Sequence, residues 1–198
     1  MGLLDLFKNG PPDAIELLKE DHEKFRRMFR EFEEAEGSAS KQRIVREVLE
    51  QLAIHMVIEE EIFYPAVRRS DNDEKHQAKM AEAVEEHHVA KLLMGELRNK
   101  KTSSQESRDA KFQVLSESVE HHIEEEESDV FPKAKEEELD LAALGRKMAQ
   151  RKRRLSQVKA SGPKNRHASQ RLRKPMAAKT LRKKKIAASG RARVKSRG

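Results

Sequence analysis

His55-Met56-Val57-Ile58-Glu59-Glu60-Glu61-Ile62-Phe63-Tyr64-Pro65 is the stretch on which the fold turns. Its skeleton returns downstream as His122-Ile123-Glu124-Glu125-Glu126-Glu127-Ser128-Asp129-Val130-Phe131-Pro132. In both, a glutamate follows the histidine by four residues, an aromatic residue precedes a proline, and the proline falls ten residues after the histidine. On an α-helix, positions i and i+4 lie one turn apart on the same face. Each copy therefore aims an imidazole and a carboxylate at one spot. Two such pairs on two helices have the form of half a metal site and its duplicate.

The repeat extends outward. His22 is followed at 3, 6, 7 and 10 positions by Phe25, Met28, Phe29 and Phe32, and His87 at the same offsets by Ala90, Leu93, Met94 and Leu97. His22 to His55 is 33 residues and His87 to His122 is 35, so the chain reads as two helical hairpins, each supplying one His and then a His-x3-Glu. The first helix is expected to start at Asp13, with Glu16 completing a capping box, and to end near Gly37. The second runs from about Ser40 and stops around Pro65. The third follows the cap at Ser70 to Asp73 and ends near Asn99. The fourth opens on Ser103 with Glu106 and reaches Pro132. Helices of this length on short polar loops predict an all-α, antiparallel up-down four-helix bundle. A short fifth helix is expected from about Asp140 to Leu155, with a disordered basic tail behind it.

One inward histidine is an ordinary core residue, and glutamate runs are ordinary solvated faces. Here four histidines face inward, one per helix, and two of them carry a carboxylate at i+4. Burying that set without a counter-charge is costly, and a metal offsets the cost. The chain has no cysteine, which excludes disulfides, thiolate metal sites and thiol catalysis. Imidazole with carboxylate favours iron, manganese or zinc over calcium or magnesium. Six donors are too many for one tetrahedral zinc and suit two iron ions sharing carboxylates, another divalent metal being the alternative. The expected division is His22, His55, His87 and His122 as terminal ligands, with Glu59 and Glu126 bridging. His88 and His121 stand beside two of these, off the inward face by the apolar register, and remain alternatives. Tyr64, the single tyrosine, reads as a helix-end packing residue.

Taken together, His22, His55-x3-Glu59, His87 and His122-x3-Glu126, with the Phe-Tyr-Pro and Phe-Pro helix ends, resemble the hemerythrin-like HHE cation-binding family over about residues 12–155. The resemblance implies a non-haem di-iron centre that meets dioxygen, peroxide or nitric oxide, in sensing, oxidative-stress protection or iron handling. Peroxide- or nitric-oxide-related enzyme activity is left open. The oxygen-carrying members place a His-x3-His on the third helix, whereas Ala83 stands four residues before His87 and Val84 four before His88. One iron would then take a different ligand: Glu60, Glu61 or a water.

The net charge of +7 hides a division. Up to Leu144, 21 Lys and Arg face 35 Asp and Glu; from Arg146 onward there are 21 more basic residues and no acidic one. Three segments follow: residues 1–11, a metal-binding bundle over 12–155, and a Lys/Arg/Ala-rich tail over 156–198. A tail of that composition is expected to stay disordered when free and to bind nucleic acid through phosphates. The alternative function is thus nucleic-acid binding, with the bundle metal structural or a sensor switch. No apolar run approaches the ~18 residues of a membrane span, and the short opening Met1 to Lys8 is not of signal-peptide form, so a cytoplasmic location is expected. No nucleophile triad, phosphate loop or dinucleotide fingerprint is present.

Overall fold

The computed structural model describes residues 12–70, 73–99 and 104–160. Helix α1 (Ala14–Glu34) begins as its sequence predicts. The Asp13 carboxylate accepts from the Glu16 amide at 2.9 Å and the Glu16 carboxylate from the Asp13 amide at 3.0 Å, so two otherwise unpaired donors are satisfied. The helix ends at Ala35, and Gly37, at φ +84°, turns the chain directly into α2 (Ser38–Ile58). That left-handed conformation is one glycine adopts without a steric penalty.

Pro65 does not stop the second helix. A π-helical turn, Glu59–Phe63, leads without a break into α3 (Tyr64–Ser70). The Tyr64 amide bonds back to the Glu59 carbonyl, five residues away. This wider turn changes the register of the ladder one residue before the proline. The proline then needs no donor there, and its ring escapes the clash it makes inside a regular helix. The same device recurs in the second hairpin. There α5 (Gln105–Glu125) passes through the π turn Glu126–Val130 into α6 (Phe131–Glu136), with the Phe131 amide on the Glu126 carbonyl.

The third rod, α4 (Glu74–Arg98), is capped by Asp73, whose carboxylate accepts from the Lys75 amide at 2.8 Å. Ser103 lies outside the described residues; the cap of α5 is Ser104, which accepts from the Ser107 amide at 3.1 Å. The last helix, α7 (Leu141–Ala160), has 20 residues and runs past Leu155, so it is not short. The expected tail lies outside the described residues from position 161 onward.

Among the described residues every element is helical. Helix α1 packs on α2, α2 on α4, α4 on α5 and α5 back on α1, which closes the four-helix ring, while α7 lies against α1 and α2. Gly145 permits that last contact: a Cβ there would stand 2.5 Å from the Pro12 carbonyl oxygen. Two apolar clusters fill the bundle. One centres on Phe25, Phe29, Leu52, Met94 and Phe112, the other on Leu18, Ile58, Phe63, Phe131 and Met148. No described helix is long and apolar enough to cross a membrane.

Candidate metal centre

Each rod carries its polar residues where it passes from one apolar cluster to the other. His22 lies between Leu18 and Phe25, His55 between Leu52 and Ile58, His87 between Ala83 and Ala90, and His122 with Glu126 between Val119 and Val130. All four imidazoles and both carboxylates are buried, Glu59 at 0 % exposure and Glu126 at 1 %. His88 is exposed and the His121 side chain is 66 % exposed, so neither replaces its neighbour.

The six groups form two donor sets. His22, His55, Glu59 and Glu126 present atoms that all lie within 4.8 Å of one another, as do Glu59, His87 and His122. Glu59 belongs to both. Its two oxygens stand 2.9 Å from His55 Nε2 and 3.4 Å from His87 Nε2. Glu126 Oε2 lies 3.4 Å from His22 Nε2 and 3.8 Å from His122 Nε2.

The outward nitrogens explain the orientation. His22 Nδ1 meets Glu127 at 2.9 Å, His55 Nδ1 meets Asp21 at 3.4 Å, His87 Nδ1 meets Glu60 at 2.8 Å and His122 Nδ1 meets Glu86 at 2.7 Å. An Nδ1–H donated to a carboxylate leaves the Nε2 lone pair facing inward, the arrangement that holds metal-binding histidines in place. His22 also stacks on Phe131, with ring centres 5.6 Å apart.

Inside, the donors lack partners. His22 Nε2, His55 Nε2, both Glu59 oxygens and Glu126 Oε2 are buried with no hydrogen bond, and His87 Nε2 faces His122 Nε2 at 3.1 Å. Buried polar atoms are nearly always satisfied, and two facing lone pairs repel. Burial and the facing Glu126 carboxylate push the Glu59 carboxyl well up. Glu126 is also buried, yet His122, His22 and His55 hold it down. A divalent cation in each set would satisfy the orphaned atoms and neutralise the carboxylates, and imidazole with carboxylate suits iron, manganese or zinc. The residues fit such a group.

Two expectations need correction. Glu60 and Glu61 are not inner donors: Glu60 backs His87, and Glu61 takes a two-pronged bond from Arg151 at 2.6 and 2.7 Å. The group that stands at the site is Tyr64. Its hydroxyl donates to Glu126 Oε1 at 2.7 Å and lies 3.3 Å from His122 Nε2 and 3.5 Å from His87 Nε2. Burial, with Glu126 and Glu59 nearby, raises the phenol well above its ordinary range.

Sequence reasoning also missed the four backing carboxylates, although the repeat spells them. Asp21 and Glu86 each precede the lone histidine of a hairpin, and Glu60 and Glu127 each follow its inner glutamate. Even the cations behind two of them repeat. Arg26, four residues after His22, lies 3.2 Å from Glu127, and Lys91, four after His87, lies 2.5 Å from Glu60.

The profile of the hemerythrin HHE cation binding domain matches residues 13–134. Among solved structures, the chain resembles a hemerythrin HHE cation binding domain-containing protein from Mycobacterium kansasii. Identity is 27 % and the TM-score 0.63, over 81 % of this chain and 98 % of that one. No curated protein matches. All six inner donors and all four backing carboxylates fall within the matched span, and the chain belongs to the hemerythrin HHE cation binding domain family.

Proposed function

We propose that the bundle holds two iron ions that share Glu59, with His22 and His55 on one and His87 and His122 on the other. The observation that carries this is the doubling of the donor set around one carboxylate whose two oxygens have no hydrogen-bond partner. Iron held there supplies redox chemistry toward dioxygen, peroxide or nitric oxide. The chain's own contribution is to aim four Nε2 atoms inward, to keep the layer between two apolar clusters, and to bring the Tyr64 hydroxyl to the second donor set. Tyr64 takes the place of the histidine missing from the third helix, as a phenolate ligand or as the donor that orients Glu126. A cavity of about 10 Å³, lined by Leu52, His55, Met56, His87, Val119 and His122 among others, lies against the site. That is the lower limit of the room one water needs, which disfavours a larger substrate. Sensing, protection against oxidants or iron handling are the roles in keeping with such a site. The test is optical: a redox-active pair changes its absorption on reduction and on exposure to oxygen, peroxide or nitric oxide, whereas a zinc-filled bundle stays silent.

We further propose that the basic end of the chain contacts nucleic acid through phosphates, because no acidic residue follows Arg146 to offset its 21 lysines and arginines. Retention on DNA should then weaken steeply with salt. Deletion of residues 161–198 that leaves low-salt retention unchanged would remove this second reading.

A further inference from the structure

The donors and their support obey the hairpin repeat almost throughout, so the departures are informative. His22 corresponds to His87, His55 to His122, Glu59 to Glu126, Glu127 to Glu60, Asp21 to Glu86, and Arg26 to Lys91. Glu59 enters both donor sets and Glu126 only the first, and two further groups break the correspondence. One is Tyr64, which answers to Phe131. The other is Lys152, whose ammonium bonds to Asp21 Oδ1 while Asp21 Oδ2 meets His55 Nδ1 at 3.4 Å. Its counterpart Glu86 has no lysine or arginine bonded to it among the described residues: Glu86 meets His122 at 2.7 Å and lies beside His121 and Glu125, and Lys79 bonds Glu125 instead.

Lys152 arrives on a helix that has no equivalent in the repeat and lies outside the matched span of 13–134. Its position is firmly set. Met148, one turn earlier, is fully buried; Gly145 lets α7 approach the start of α1; and Arg151 grips Glu61 in the π turn that carries Glu59. Asp21 is also the one backing carboxylate that is itself buried, at 9 % side-chain exposure against 22–26 % for Glu86, Glu127 and Glu60. A charge placed on it is therefore screened least by solvent.

We propose that Lys152 is a positioning residue that makes the two metal positions unequal, weakening and raising the redox potential of the one at His22 and His55. The physical chain has two links. A carboxylate behind a histidine raises the basicity of that ligand and favours the more highly charged metal. An ammonium on the same carboxylate takes back part of its charge, and its own positive charge opposes the cation. The position at His87 and His122 has no such ammonium behind Glu86. That advantage outweighs the fourth inner donor, Glu126, of the other position, so the position at His87 and His122 fills first and loses its metal last. Helix α7 then becomes part of the metal centre, and a protein cut to the matched domain would hold two more nearly equal ions.

This inference rests on the two-metal reading above, and the experiment separates them. Metal-free full-length protein is titrated anaerobically with Fe²⁺, and midpoint potentials are read by spectroelectrochemistry, for wild type, Lys152→Met and Lys152→Arg. Wild type should bind two ions in unequal steps. Lys152→Met should tighten the weaker step on the order of tenfold, leave the tighter step in place and move the higher potential downward. Lys152→Arg, which keeps the charge, should stay near wild type. Two unequal steps that Lys152→Met leaves unmoved would overturn the inference alone, as would equal changes in the Met and Arg variants, which would assign the effect to packing. A wild type that binds fewer than two ions would overturn the two-metal reading with it.

Discussion

One oxygen atom separates the two copies of the repeat at the residue before the proline. In the second copy Phe131 stacks on His22; in the first, the Tyr64 ring lies 5.7 Å from His87 and its hydroxyl enters the donor layer. In the metal-free protein, Tyr64→Phe leaves Glu126 Oε1 without its donor, which should cost about 1–3 kcal/mol in a urea melt. In the loaded protein, the same change should loosen the second metal position and remove any phenolate-to-metal absorption. Unchanged spectra and affinity would return Tyr64 to a packing role. Behind the donors, Asp21→Asn or Glu60→Gln should each lower metal retention against a chelator by roughly 10–100-fold. The six inner groups were legible in the sequence because histidine on an apolar stripe, with glutamate at i+4, is a pattern one helix can display. Asp21, Glu60, Glu86 and Glu127 were not, because each reaches a histidine on a different helix and sits in an acidic run that ordinarily faces water. Tyr64 was missed for a related reason: next to a proline it reads as an ending, and only the turn that keeps the helix going carries its ring inward.

At the scale of elements, the helices, their order and most of their ends follow from apolar periodicity and from caps such as Asp13 with Glu16 and Asp73. The errors fall at the prolines. Pro65 and Pro132 signal a break in the i−4 ladder, and a π turn is one way to absorb it that periodicity does not reveal. Each π turn starts at an inner glutamate, Glu59 or Glu126. Helix α7 was legible as amphipathic, but its reach to Ala160 and its grip on Glu61 and Asp21 depend on contacts some 90 and 131 residues away in sequence. Its seating depends on Gly145. Gly145→Ala would drive a methyl group into the backbone at Pro12 and Asp13. The expected result is a loss of about 1–3 kcal/mol, read as a lowered denaturation midpoint, with a larger loss of α7 protection in hydrogen exchange than of α5. Equal protection in both helices would show that the crossing is not what holds α7.

For the whole molecule, the polar layer divides the core and leaves buried carboxylate oxygens and imidazole nitrogens without hydrogen-bond partners. Two pH dependences follow. In the metal-free protein Glu60, Glu86, Glu127 and Asp21 are held below the ordinary carboxylate range, Glu60 and Glu86 first by their histidines, and Glu127 and Asp21 by histidine and a basic side chain against the upward push of burial. Groups lowered in the folded state contribute stability that is fully present above about pH 4–5 and is lost as pH falls through their folded values. Urea midpoints should drop on that side. In the loaded protein, protons compete for imidazole, with its ordinary pKa of about 6.5, so metal should be released at a higher pH than the one at which the fold fails.

Four histidines and two glutamates on four helices are proposed to hold two iron ions. The decisive measurement is the metal content per chain of protein purified without added metal, for wild type and for the double variant His55→Ala with His122→Ala. About two irons per wild-type chain are expected, and their loss in the variant, with helical content retained. A wild type that carries no metal and takes up none from anaerobic Fe²⁺, or a variant that keeps both ions, would contradict that proposal.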